Sequence, residues 1–175
     1  LGGLNNQGIL APGNSIGTMV VNGNAQLQST GTLEIEINDG SAVPEPGINN
    51  DMIDVQGSAE LGGTVNVVAD NVAGNFTNGS EFYFLRASDG FGGSEFDGVT
   101  DNLAFFDAML GYRQGTASEE FAYFWLKANE TNFKSHAFTK NRWQVANFLD
   151  RHYDSATGPV EALYNRLMGM SNEQL

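Results

Sequence analysis

Short apolar runs recur along this chain, each closed by glycine or asparagine, and that recurrence limits the fold more than any other feature. In the stretch from Leu10 to Asn24, a Pro12-Gly13 turn leads into Met19-Val20-Val21, which ends in Asn22-Gly23-Asn24. Ala25 to Gln28 is a weaker run. Thr32 to Ile37 alternates strictly. Leu33, Ile35 and Ile37 share one face and Thr32, Glu34 and Glu36 the other, the period of a strand with one buried side. Asp51 to Val55, Ala59 to Leu61 and Thr64 to Val68 repeat the theme, with Gln56-Gly57 and Gly62-Gly63 between them. The runs return after roughly 10–25 residues, a spacing that suggests stacked repeats.

Composition agrees with short strands and tight turns. There are 22 Gly but only 17% charged residues, and 41% of the chain is hydrophobic. A disordered chain is poorer in apolar groups and richer in charge. With 175 residues the chain is long enough to bury a sizeable core. The net charge of −13, from 8 Lys+Arg against 21 Asp+Glu, repels phosphate backbones, so nucleic acid is not an expected partner. The same bulk charge disfavours anionic membrane surfaces. The absence of Cys removes disulfides, thiolate metal sites and a thiol nucleophile. No run of about 18 apolar residues is present, so no transmembrane helix is expected. The chain starts at Leu1 without a basic, then apolar, leader, and its start in mid-pattern suggests a fragment of something longer.

Beyond residue 37 the pattern is interrupted, then changes. Residues 38–50 hold Pro44 and Pro46, which cannot donate to a strand ladder, and read as a solvated excursion. From 81 the aromatic content rises. Glu81 to Leu85 reads as a strand and 91–96 as a Gly-rich connection; Leu103–Tyr112 and Glu120–Lys127 read as a hairpin. Phe121, Tyr123 and Trp125 alternate with Ala122, Phe124 and Leu126, so both faces are apolar and both are expected to be covered. After Asn132 the period becomes helical. Thr139 is an N-cap candidate for a helix to about Tyr153, with Trp143, Ala146, Leu149 and Tyr153 on one stripe. Pro159 suits the first turn of a second helix carrying Val160, Leu163, Leu167 and Met170.

Few residues offer chemistry. Gly13-Asn14-Ser15-Ile16-Gly17 matches the G-x-S-x-G pattern of serine hydrolases. That motif needs a helix after the serine, whereas a β-type run follows here, and His136 and His152 lie in the helical segment. Pro12, Gly13, Ser15 and Gly17 are therefore read as a structural turn, with the glycines supplying φ > 0 or close stacking, and no enzyme activity is expected of these residues. Glu34 and Glu36 are read as outward strand carboxylates. Asp39, Glu45 and Asp51 lack the spacing of a calcium loop, and Gly92 to Asp97 is a single, wrongly spaced likeness to calcium-binding repeats. No catalytic residue, metal or cofactor is expected. A run of aromatics can stack on sugars, but the density at 121–125 reads first as core.

Taken in order, these segments resemble the C-terminal part of a bacterial type V autotransporter passenger. Gly8 to Thr18 resembles a recurring PGNSIGT-type turn of that family. Gly31 to Ile37, Asp51 to Val55 and Gly57 to Val67 resemble its successive rungs, Phe96 to Thr100 its F-D-x-V segment, and Asn141 to Asp150 the segment leading towards its membrane domain. The resemblance implies an all-β fold, a right-handed parallel β-helix over residues 1–80. A β-hairpin cap, or autochaperone region, follows over 81–132, and a short helical tail over 133–175 leads to a missing outer-membrane β-barrel. It implies export to the surface of a Gram-negative cell, where an absence of Cys suits passage through a narrow pore. The implied partners are upstream passenger rungs and the chain's own barrel in cis.

In that setting Phe82, Phe84, Leu85, Phe96, Leu110, Tyr112, Phe124 and Trp125 are the candidate folding nucleus, each adding about 1.5–3 kcal/mol when buried. The alternatives are an adhesin segment that contacts host receptors or glycans and the stalk of an upstream protease. A cut first rung would leave an apolar edge through which the fragment self-associates.

Overall fold

The computed structural model describes residues 2–38, 43–69 and 75–174. Its strands are β1 (Leu4–Asn6), β2 (Ile9–Leu10), β3 (Thr18–Val21), β4 (Ala25–Leu27), β5 (Thr32–Ile37), β6 (Met52–Val55), β7 (Ala59–Glu60), β8 (Thr64–Ala69), β9 (Glu81–Ala87), β10 (Gly98–Asp101), β11 (Phe106–Gln114) and β12 (Glu120–Ala128). Two helices follow, α1 (Lys140–His152) and α2 (Pro159–Met168), with 3-10 turns at Phe133–His136 and Tyr153–Ser155.

The strands form three sheets, ordered β1-β4-β7, β10-β8-β5-β2 and β11-β12-β9-β6-β3. From β1 to β9 the chain visits the three in rotation. Pairing is parallel throughout except for β9–β12 and β12–β11. Register follows from the alternation. Leu33 lies beside Val65, Ile35 beside Val67 and Ile37 beside Ala69, and all six are buried. A one-residue slip would turn every one of them to the opposite face. One continuous core runs from Val21 to Tyr164.

Where the chain leaves a sheet, polar side chains replace the ladder. Asn24 Oδ1 accepts from the Ser58 N–H at 3.1 Å, Asp97 Oδ2 from the Gly63 N–H at 2.9 Å and Asn102 Oδ1 from the Ala69 N–H at 2.9 Å. Each joins residues 33 or 34 apart in sequence. Such N–H groups would otherwise be unpaired, which costs free energy wherever water is excluded.

The architecture corrects the all-β, right-handed parallel β-helix with a hairpin cap and a short helical tail. It is mixed α/β, with three separate sheets, mostly parallel, and two C-terminal helices, and it is not that solenoid. Two packing facts account for the difference. The antiparallel strands β12 and β11 extend the sheet that already holds β3, β6 and β9, so they are not a separate cap. The helical segment belongs to the core: Phe133, Ala146 and Tyr164 are buried in it, and Phe133 packs on Phe105 at 4.8 Å. The chain also returns to the sheets after α2, where the Asn172 N–H donates to the Asn102 carbonyl at 2.9 Å and the Ala104 N–H to that of Met170 at 3.2 Å.

Helix starts follow the sequence signals. Thr139 Oγ1 accepts from the Arg142 N–H at 3.2 Å, and Pro159 opens α2. The expected α1 stripe is only partly inward. Ala146 is buried and Leu149 packs against the core, while Trp143 and Tyr153 are exposed. The inward side is shared with Asp150, whose carboxylate accepts from the Phe133 and Lys134 N–H groups at 2.8 and 3.4 Å.

Gly63 tests the close approach of neighbouring turns. It has φ +73°, and an added Cβ would fall 2.2 Å from the Gly31 carbonyl oxygen, whereas Gly92, at φ +61°, faces open space. Gly92→Ala should cost about 1–2 kcal/mol, the left-handed backbone alone. Gly63→Ala adds a backbone clash and should cost about 3 kcal/mol or more. Urea unfolding midpoints check this, and equal shifts would refute it.

Candidate functional site

The opening turn, which carries the hydrolase-like motif, is held by a buried carboxylate. Asp51 is 1% exposed. Its Oδ1 accepts from the Gly17 N–H at 3.0 Å and its Oδ2 from the Glu36 N–H at 2.9 Å. It thus ties the turn to β5 immediately before β6 begins. Neighbouring Asn50 is also buried, and its amide donates to the Asp51 and Tyr83 carbonyls at 2.7 and 2.8 Å. Burial pushes the Asp51 carboxyl above the usual range, and the Glu34 charge adds to this, against the lowering effect of the two N–H donors.

Pro12 is buried and Ser15 exposed in this turn. Strand β3, not a helix, follows Ser15. Gly13 is required for a reason other than φ > 0: a Cβ there would lie 1.8 Å from the Ser15 carbonyl oxygen. Gly17 has neither a positive φ nor a tight neighbour, so its part is the N–H given to Asp51. The histidines belong to the other end of the fold. His136 packs on Phe105 at 5.4 Å and His152 stacks on Phe148 at 4.2 Å. Among the described residues no three His, Asp or Glu side chains gather as metal ligands. Asp39 lies outside the described residues, Glu45 is exposed, and Asp51 is committed to backbone.

The second candidate is the C-terminal sheet. Phe82, Phe84, Leu85, Phe96 and Phe124 are buried together. Phe124 stacks on Phe82 at 5.0 Å and meets Phe84 at 5.9 Å; Phe84 meets Phe96 at 5.9 Å. Leu110 packs against this core, and the Tyr112 hydroxyl oxygen accepts from the Phe96 N–H at 2.8 Å. Trp125 is on the opposite face of β12, beside Tyr123 and across from Met109 and Glu81. The pair is not covered on both sides as expected. Tyr83, Phe121, Tyr123 and Trp125 form a half-exposed outer face. Arg113 lies 5.3 and 5.0 Å from the centroids of Tyr83 and Tyr123 and pairs with Glu81 at 3.2 Å.

Two polar centres had no motif to announce them. Arg86 on β9 joins Asp54 of β6 at 2.7 Å to Glu119, just before β12, and holds the Glu119 carboxyl below its usual range. Asp101 accepts from the Leu103 and Ala108 N–H groups at 3.0 and 2.9 Å, and burial raises its carboxyl. Asp101 had one local signal, an acid at the end of a short strand, which is common at turns. In comparisons with known proteins, no family model and no curated protein matches the chain.

The raised Asp51 carboxyl carries a sign. The folded chain keeps this proton to a higher pH than the unfolded one, so its contribution to stability falls as pH rises through that window. Asp51→Asn should cost about 1–3 kcal/mol at neutral pH, because its amide group cannot accept both N–H bonds. The gap from the native protein should widen on acidification, as native Asp51 gains its proton. Chemical unfolding at neutral and at acidic pH measures it. A gap that narrows on acidification contradicts the assignment.

Proposed function

We propose that this chain is the C-terminal segment of a bacterial autotransporter passenger, which folds early and supports the surface display of an upstream effector. The carrying observation is the order β11-β12-β9-β6-β3. Strands β11 and β12 are joined by a five-residue connection, 115–119, and pair antiparallel over their full lengths. Such local pairing closes quickly, whereas parallel pairing over long separations is slow. β9 joins β12 with Phe82 and Phe84 on Phe124. Its other edge then receives β6, and β6 receives β3, so order spreads from the C-terminal end towards the N-terminal turn. In a secreted chain this gives a stable patch on which preceding segments settle.

A second reading, an adhesin segment, draws on the outer aromatic face. Half-exposed Tyr123 and Trp125, with Arg113 and Glu81 beside them, offer ring surface and hydrogen-bonding groups to a sugar.

Refolding kinetics separate early from late elements. Phe124→Ala and Leu33→Ala should each cost about 2–5 kcal/mol. Phe124→Ala should slow folding, while Leu33→Ala on β5 should mainly speed unfolding. Phe124→Ala should also reduce protease-accessible display on the expressing Gram-negative cell. Equal partition of the two penalties, or slower folding only for Leu33→Ala, refutes early C-terminal folding. A glycan array checks the second reading: binding lost in Trp125→Ala supports it, and an array without signal removes it.

A further inference from the structure

The bulk charge of −13 hides a strong segregation. Six of the eight basic residues, Lys127, Lys134, Lys140, Arg142, Arg151 and Arg166, follow Leu126, against five of the 21 acidic ones. Helix α1 carries three of these cations and a single acid, Asp150. That acid is turned inward onto the Phe133 and Lys134 N–H groups and lies 3.6 Å from the Lys134 ammonium. At 100° per residue, Lys140, Gln144, Phe148 and Arg151 share the outward side of α1, and all four are exposed.

Exposed apolar groups fall in the same segment of the chain. Phe138 is 83% exposed, Phe148 59% and Trp143 45%, and Val145 is open beside them. Val160 and Leu163 of α2 are also exposed. An apolar groove of about 360 Å³ lies between, lined by Phe133, Val145, Leu149 and Leu167. Large aromatics interleaved with Lys and Arg, and no outward carboxylate on α1, are the chemistry of a helix lying at a lipid headgroup boundary. The rings enter the acyl edge, and the long cationic side chains reach the phosphates. Sixteen of the 21 acidic residues precede Leu126, outside the helical segment, and salt screens charges beyond about 8 Å.

We propose that the outward face of α1, with Lys140, Phe148 and Arg151 and with Phe138 and Trp143 flanking it, docks on an anionic lipid surface. The inference stands on charge and exposure and does not depend on the function proposed above.

Vesicle sedimentation with the full chain tests it. One set is phosphatidylcholine alone, and the other contains about one-third phosphatidylglycerol. The chain should sediment with the anionic vesicles and release as salt is raised. The double substitution Lys140→Glu/Arg151→Glu should weaken binding about tenfold or more. Phe148→Ser should weaken it as well, and Lys127→Glu, away from α1, should leave it unchanged. All three variants alter exposed positions, and unchanged unfolding midpoints confirm that they are folded. Failure to bind either vesicle, equal binding to both, or binding indifferent to the charge reversal overturns the proposal. So does a dimer abolished by Phe148→Ser in the absence of vesicle binding, which would make a second copy the occupant.

Discussion

The structure depends on side-chain acceptors that close the turns between its parallel strands. A parallel ladder satisfies the backbone while two strands run together, but the chain must leave each sheet to reach the next. At those exits the N–H groups lose their ladder partners, and any that are cut off from water need another acceptor. Asp51, Asp97, Asn24 and Asn102 supply the missing acceptors, each reaching a turn or strand end 33 or 34 residues away. Their bonds fix register at the ends of the strands, while Leu33, Ile35, Val65 and Val67 fix it in the middle. A slip by one residue would break both at once, which is why a chain of such short strands can keep one arrangement.

This requirement also explains part of the acidic composition. Asp51, Asp97 and Asp101 act as backbone acceptors, and Asp54 and Glu119 hold Arg86 between β6 and the approach to β12. Their carboxylates are structural parts of the sheets rather than a diffuse repulsive surface. Apart from Arg86 and Arg113, the basic residues all follow Leu126, and most of them lie in or just before the helices. A net charge averages over these two populations and describes neither.

Legibility followed the length scale of the interaction. The strand from Thr32 to Ile37 was readable because alternation is local, and β5 has those bounds. Thr139 and Pro159 were readable as helix starts for the same reason. Asp51 was not. Its neighbours suggested a solvated loop, and its two donors, Gly17 and Glu36, are distant in sequence. The fold class failed at the C-terminal end, where the helical period at 140–168 was legible but its attachment was not. Whether an amphipathic segment trails free or joins the core is decided by contacts such as Phe105 with Phe133 and Asn102 with Asn172. In Pro12 to Gly17 the turn was legible, but not that Gly13 is required by crowding against the Ser15 carbonyl oxygen.

Strand β12 shows how one short sequence serves two purposes. Its period of two sends Phe124 inward between Phe82 and Phe84 and sends Tyr123 and Trp125 outward, Tyr123 beneath Arg113. Composition treats the aromatics of 121–125 as one hydrophobic block, and hydrophobicity alone makes Trp125 as good a nucleus member as Phe124. The pleat separates them: a ring on the inner face gains a full shell of packing partners, while a ring on the outer face keeps one side towards water. Stability therefore concentrates on the inner set, and any recognition by this sheet falls to the outer one. Substitutions at neighbouring positions of one strand then act on different properties, because their side chains share almost no contacts.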